Sequence, residues 1–356
     1  MEAVMLVGGQ GTRLRPLTEN VPKPMLPVAN RPCVEHQISR ARDAGVTRIV
    51  LSTSHRAEVF ETYFGAGENF GIEIVYVTEE SPLGTGGAIR NAVQALRSAP
   101  DAPVVIFNGD VLSGHDIRAQ VDAFEKVHAD VSLHLIEVDD PRPFGMVPTD
   151  ANGRVVAFLE KPQTPEEIVT HQVNAGCYVF RREVIDSIPA DCVVSVERET
   201  FPALLSADAT VVGYVESAYW LDLGTPLAFM RGSRDLVRGL CPSALVAHPG
   251  ESLIDASASV ADSAVVGGGA AVAAGATIGE RATVTGSVIL AGAVVEAGAT
   301  VRDSIIGQRA RVGSSSQLVG VVVGDGADIG ADNQLGQGEI VWTDAHIPHN
   351  SAHFSD

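Results

Sequence analysis

The chain has 356 residues, 45% apolar and 19% charged, a globular composition long enough for two cores of ordinary size. Asp and Glu total 44 against 25 Lys and Arg, a formal net charge of −19, which argues against binding nucleic acid or an anionic membrane through the general surface. Aromatics at 5% argue against stacking platforms for single strands.

Taken in order, the first half alternates short apolar runs with amphipathic stretches. The runs Val4–Val7, Thr47–Ser52, Ile72–Val77, Val104–Phe107 and Val131–Val138 predict strands, and helical spacing predicts helices over Val34–Ala44, Glu58–Tyr63, Ala88–Leu96 and Ile117–His128. Such alternation implies crossover units and a mostly parallel sheet covered on both faces, with ligands bound beyond the carboxyl ends of its strands. The expected fold class is α/β, with a first domain over residues 1–240. The start of the chain lacks the basic and long apolar stretches of a signal peptide, and no apolar run is long enough to span a membrane. Cys33, Cys177, Cys192 and Cys241 show no metal or disulfide spacing, as in a reducing compartment, so the expected location is cytoplasmic.

After the first strand comes Gly8-Gly9-Gln10-Gly11-Thr12-Arg13-Leu14-Arg15-Pro16-Leu17-Thr18. Glycines there let backbone N–H groups approach a phosphate. Leu14 stands where a dinucleotide fingerprint needs its third glycine, and no Gly-Lys-Ser/Thr follows to make a P-loop. Lysine usage sharpens the signal. The chain has three lysines against twenty-two arginines, and Lys23 and Lys161 both directly precede proline. A compact cation on a flexible stem suits a moving phosphoryl oxygen, and proline restricts the backbone that aims it. Asp110, after Asn108-Gly109, ends a predicted strand, and Asp222 follows Tyr219-Trp220-Leu221. If they converge, two carboxylates of this kind hold a hard cation such as Mg²⁺ together with substrate phosphates. No HExxH or GxSxG motif is present.

From Glu251 to Trp342 the chain lacks Pro, Lys, His, Cys, Phe and Tyr. Ile254, Val260, Val266, Val272, Ile278 and Val284 recur every six residues, and the series continues through Ile289, Val295, Val301, Ile306, Val312, Leu318, Val323, Ile329 and Leu335. The step shortens to five at 284→289, 301→306 and 318→323. A hexad with a slip every third unit predicts a three-sided coil over 251–342, a parallel β-helix with aliphatics inward and Ala near the corners. Its open end coils lead to the expectation of a homo-oligomer. Residues 343–356, with His346, His349 and His353, read as a flexible tail.

The signature from Gly8 to Lys23-Pro24 resembles that of the sugar-phosphate nucleotidyltransferases, and within them the mannose-1-phosphate guanylyltransferases. Supporting segments are Pro82-Leu83-Gly84-Thr85-Gly86-Gly87, Asn108-Gly109-Asp110, Phe144-Gly145, Phe158-Leu159-Glu160-Lys161-Pro162, Asn174-Ala175-Gly176-Cys177-Tyr178, Ser195-Val196-Glu197, Phe201-Pro202 and Trp220-Leu221-Asp222-Leu223-Gly224. The resemblance covers the whole chain and implies a Rossmann-like nucleotidyltransferase domain followed by a left-handed parallel β-helix of hexapeptide repeats. By that resemblance Gly8, Gly9, Gly11 and Thr12 cradle the nucleotide, Arg13 and Lys23 meet the triphosphate, and Gly84 and Thr85 lie by the base. Asp110 and Asp222 hold Mg²⁺, Gly145, Glu160 and Asn174 bind the sugar, and Lys161 holds its phosphate. Gly86 departs from the Ala of many relatives. The implied substrates are GTP and mannose 1-phosphate, the products GDP-mannose and pyrophosphate. Glucose 1-phosphate with UTP, dTTP or ATP, or a nucleotide-sugar-sensing subunit without catalysis, are the alternatives. Acyl transfer on the solenoid is disfavoured because 251–342 offers no histidine base.

Overall fold

β-Branched runs form seven strands: β1 (Glu2–Leu6), β2 (Arg48–Thr53), β3 (Glu73–Thr78), β4 (Pro103–Asn108), β5 (Val131–Glu137), β6 (Gln172–Arg181) and β7 (Val211–Val215). This is a computed structural model, and it describes residues 1–54, 56–159, 162, 164–336 and 338–353. The strands join in one sheet of order β7-β5-β6-β4-β1-β2-β3. β6 runs antiparallel to β4 and β5, and the other neighbours are parallel. Helices α1 (Cys33–Asp43), α2 (Ala57–Phe64), α3 (Gly84–Ala92), α4 (Ile117–Lys126), α5 (Arg182–Asp186) and α6 (Phe201–Ser206) come between or after the strands. Val4, Val50, Val104 and Ile106 are fully buried, as expected where a parallel sheet is covered on both faces. Tyr178, Phe180 and Phe201 join the same core.

Two differences from the sequence reading have physical causes. Strands β6 and β7 carry no clean alternation, because residues on both faces of β6 are buried. Helix α3 begins at Gly84, four residues before the predicted start, and it gives way to a single 3₁₀ turn at Val93–Ala95. Its glycines are poor helix formers, but they admit the 192–194 segment: a Cβ on Gly84 would lie 2.6 Å from the Val194 carbonyl oxygen, and one on Gly87 2.7 Å from that of Cys192.

The chain divides into two units, Met1–Gly9 with Gln37–Trp220, and Gln10–His36 with Leu221–Asp356. From Gln10 onward the signature segment thus belongs to the same unit as the C-terminal half, while Gly8 and Gly9 belong to the other. There α7 (Pro226–Val237) starts with Thr225 Oγ1 accepting from Ala228 N at 3.2 Å and Pro226 in the first turn.

The hexad repeat forms the three-sided β-helix, in sheets of six, six and five parallel strands. On one side Ile254, Val272, Ile289, Ile306, Val323 and Val341 are in register. The six-to-five slips follow a buried corner ladder. Ser287 and Ser304 are 1% exposed; Ser287 Oγ accepts from Ser304 N at 3.1 Å, and Ser304 Oγ from Val321 N at 3.0 Å. At the first two slips a corner hydroxyl satisfies the N–H of the next coil, and at the third buried Val321 takes the place of the serine.

Residues 343–353 are not a loose tail. His346–Ile347 pairs with Asp328–Ile329, and Ala352 O accepts from Gln334 N at 2.8 Å. Asn333 explains the order: its Oδ1 accepts from Ser351 N and Ala352 N, and its Nδ2 donates to Pro348 O. Val341 and Ile347 continue the period under a polar disguise. Among the described residues no helix is long and apolar enough to cross a membrane.

Candidate active site

The signature glycines have distinct structural demands. Gly9 and Gly11 have positive φ, +111° and +59°, and a Cβ on Gly8 would meet Ser54 Oγ at 2.7 Å. Gly11 caps the one-turn 3₁₀ helix Thr12–Leu14, and a second one-turn helix spans Lys23–Met25. Buried Leu14, Leu17, Pro24 and Met25 anchor these turns, leaving Thr12 and Arg13 exposed. Thr18 Oγ1 donates to Gly11 O at 2.9 Å, and a Cβ on Gly11 would sit 3.0 Å from Lys23 Cβ. Arg13 and Lys23 therefore emerge from one packed knot.

Asp222 joins them. Lys23 Nζ lies 3.5 Å from Asp222 Oδ1, with the lysine side chain only 12% exposed. A Cβ on Gly224 would come 2.9 Å from Arg13 Nη2 and 3.0 Å from Asp222 Oδ1, so this glycine lets the guanidinium and the carboxylate share one spot. Asp222 Oδ1 is buried and accepts no hydrogen bond among the described residues. A buried hard oxygen whose nearest cation is Lys23 at 3.5 Å fits a divalent cation as a further partner.

In the other unit, Asp110 follows β4, whose Asn108 pairs with Leu6 of β1. Gly109 N donates to Leu6 O at 2.9 Å, and a Cβ on Gly109 would stand 2.7 Å from that oxygen, so the turn carrying Asp110 needs glycine. Gln37 Nε2 of α1 donates to Asn108 O and Val111 O on either side of Asp110. Gly8 and Gly9 follow β1, at the same end of the sheet.

Gly145 and Asn174 are brought together: Asn174 N donates to Gly145 O at 3.2 Å. Asn174 Nδ2 donates to Tyr178 Oη at 2.8 Å, and its Oδ1 accepts from Gly176 N at 3.0 Å. The Asn108 side chain also hydrogen-bonds the Tyr178 hydroxyl, which burial pushes well above its usual pKa. Tyr178, fully buried, thus joins the approach to Asp110 with Asn174. The motif in the sequence gives this tyrosine no role by itself. The signal for it was a lone phenol two residues after a glycine in a predicted binding motif.

Thr85 Oγ1 donates to Glu197 Oε2 at 2.9 Å and accepts from Val196 N at 2.9 Å. Glu197 also accepts from Ser195 Oγ at 3.1 Å, a contact the sequence alone does not reveal. Gly86 has a packing reason for departing from Ala, since its Cβ would press on Val194 Cγ1 at 2.9 Å. Glu160 and Lys161 lie outside the described residues.

A third cluster was not anticipated. One ligand atom from each of His115, His134 and Glu216 lies within 4.8 Å of the others. The two rings stack at 3.9 Å and 14°, which makes their in-plane lone pairs parallel instead of convergent. Arg40 donates to the carbonyls of Ser113 and His115, and its charge opposes a cation there. Burial, aided by Arg40, pushes His134 down to about 3 and, with His134 and Arg40, holds His115 well below the usual range. This is a neutral buried stack.

The nucleotidyl transferase family profile matches residues 2–239, and a GMPPB C-terminal domain profile matches residues 248–351. The chain belongs to the nucleotidyl transferase family. It is 54% identical over 267 residues to a mannose-1-phosphate guanylyltransferase of Mycobacterium tuberculosis, an alignment covering 74% of this chain and 73% of that one. It is 34% identical to mannose-1-phosphate guanylyltransferase 1 of Arabidopsis thaliana, covering 74% of each. Among solved structures this nucleotidyl transferase resembles HddC from Yersinia pseudotuberculosis, also solved with GMP-PN. The TM-score is 0.57 at 27% identity, covering 66% of this chain and 99% of that one.

Proposed function

We propose that the chain is a mannose-1-phosphate guanylyltransferase, transferring GMP from GTP to mannose 1-phosphate. The observation that carries this reading is the convergence of Arg13, Lys23 and Asp222 in a chain 54% identical to a relative of that name. A phosphate oxygen of the sugar phosphate attacks the α-phosphorus of GTP, forming the new P–O bond as the α–β anhydride breaks. Pyrophosphate leaves with the bonding pair. The attacking oxygen is already anionic at neutral pH, so no general base is required. The barrier is repulsion between two anions, lowered by positioning and by preorganised cations.

In this scheme the N–H groups of Gly8, Gly9, Gly11 and Thr12 hold the nucleotide phosphates, and Arg13 and Lys23 neutralise charge on the triphosphate. Gly84 and Thr85 lie by the base. Gly145, Glu160 and Asn174 hold the sugar, with Asn174 oriented by Tyr178, and Lys161 holds its phosphate. Asp110 and Asp222 are the proposed ligands of Mg²⁺, which when bound screens charge on the phosphates. Lys23, 3.5 Å from Asp222, then has two tasks, holding that carboxylate and meeting phosphate.

Residues 1–240 supply the chemistry in this reading and 251–342 the β-helix. The enzyme works in the cytoplasm as a homo-oligomer through the solenoid, where Val319, Ile340 and Trp342 are exposed apolar residues. Trp342→Glu should lower the assembly mass by sedimentation, and an unchanged mass would remove that surface from the interface. The activity is tested by pyrophosphate release from the purified chain across GTP, UTP, dTTP and ATP with mannose and glucose 1-phosphates. GTP with mannose 1-phosphate should be the preferred pair, and preference for another pair would replace the assignment.

A further inference from the structure

We propose that the β-helix is the support of the signature loop, holding Arg13 and Lys23 in place through a seam made by Pro16, Glu19 and Asn20. The reading takes the solenoid beyond assembly, and its kinetic part rests on the transferase activity proposed above.

The seam lies within one unit of the chain. Pro16 is buried, and its Cγ would stand 3.0 Å from a Cβ on Gly324, so the ring lies where that coil carries no side chain. The same Cβ would meet Thr343 N of the next coil at 2.5 Å, so the stacking of coils keeps this position glycine and the Pro16 ring packs on its bare backbone. Thr343 Oγ1 donates to the Glu19 carboxylate. The Asn20 side chain hydrogen-bonds the Asp325 carboxylate, whose burial raises its pKa and which also accepts from Gln308 N at 2.8 Å. A second tie follows downstream, where Asn30 Nδ2 donates to Val272 O at 2.9 Å.

Consecutive turns carry this support to the cations. Glu19 N donates to Pro16 O, Leu17 N to Leu14 O, and Leu14 N to Gly11 O, at 3.0, 3.0 and 2.9 Å. Thr18 closes the path on Gly11, which packs against Lys23. Displacing Pro16–Asn20 therefore displaces the turn that bears Arg13. A misplacement of this kind at a phosphoryl site lowers turnover more than ground-state binding. Glu19, Asn20, Asp325 and Thr343 are positioning residues and touch no substrate.

The test uses full-length chain and two conservative variants, Thr343→Val and Glu19→Gln, with Thr343→Ser as the rescue. Amide exchange of a peptide spanning residues 11–20 should quicken about tenfold in the first two, the scale of losing one hydrogen bond to a charged acceptor. Peptides from 270–312 should exchange as in the parent, kcat should fall severalfold with KM for the sugar phosphate unmoved, and Thr343→Ser should restore both readouts. Parental loop exchange in both variants would overturn the proposal, as would equal quickening throughout the solenoid. If the parent chain releases no pyrophosphate from any substrate pair, the activity reading fails while loop exchange still decides the seam.

Discussion

The seven-stranded sheet and the β-helix both bury parallel strands, by opposite routes. The sheet needs helices on its faces, and its core mixes Tyr178, Phe180 and Phe201 with aliphatics of every size. The solenoid closes on itself, and its core repeats Val, Ile, Leu and Ala at matching rungs. Regularity makes a structure legible and chemically quiet. The proposed substrate contacts fall where the pattern breaks: at the glycine turns after β1 and β4, at α3's glycine start and at the irregular Asn174–Gly176 stretch within β6, where Gly176 has φ +78°.

The contrast is open to direct attack. Lys23→Ala should reduce turnover at saturating GTP by about 10² to 10³, the usual loss for one preorganised charge at a reacting phosphate. Lys23→Arg should restore little of it, because a fork cannot take the place of a point charge. Parental turnover for the Ala variant would end the assignment of chemistry to this knot.

In the solenoid the largest effect should be on stability. Ile306 is fully buried between rungs, so Ile306→Ala should destabilise the chain by about 3 kcal/mol in denaturant titration. A loss below about 1 kcal/mol would mean the rungs are loosely packed.

Tyr178→Phe sits between these extremes. It deprives Asn174 Nδ2 of its acceptor. The expected result is about a tenfold rise in KM for the sugar phosphate with a modest stability loss of about 1 kcal/mol. An unmoved KM would detach Asn174 from the sugar.

His134 gives a pH signature. Its folded pKa, pushed down to about 3, lies below the unfolded value near 6.5, so the unfolded chain binds more protons between them. Its contribution to stability is complete above pH 6.5 and is lost as pH falls toward 3. His134 is fully buried, and among the described residues neither ring nitrogen has a hydrogen-bond partner. His134→Phe should therefore flatten the acid limb of a melting-temperature profile, with His115, Arg40 and Glu216 in place. A profile as steep as the parent's would show that another group sets the limb.

The smallest effect belongs to Gly86→Ala, whose Cβ would meet Val194 Cγ1 at 2.9 Å and so needs the Val194 side chain to move aside. It should shift stability by under about 1 kcal/mol and leave nucleotide preference unchanged. A change of preferred base would make position 86 a specificity residue.

How much of this was visible beforehand follows from the same contrast. The inward series from Ile254 to Leu335 and all three slips were legible, because each rung repeats one demand. The serine ladder at the first two was not, since Ser287 and Ser304 look like ordinary turn residues until their hydroxyls are seen to cap the next coil. The last coil escaped notice because Pro348, His346 and His349 break the compositional pattern while Asn333 ties the chain down. In the sheet, β6 shows no period-two alternation because both its faces are buried, and Asn174 and Gly176 are poor strand formers. The cations of the signature were legible by type, and Lys23 by its rarity. Their meeting with Asp222 depends on folding that brings distant segments together, and no local spacing encodes it.

The most direct test is a crystal structure of the chain with GDP-mannose and Mg²⁺. The account predicts the diphosphate against Arg13 and Lys23, with the metal on Asp222. A nucleotide bound elsewhere, with Lys23 out of hydrogen-bond reach of every phosphate oxygen, would contradict it.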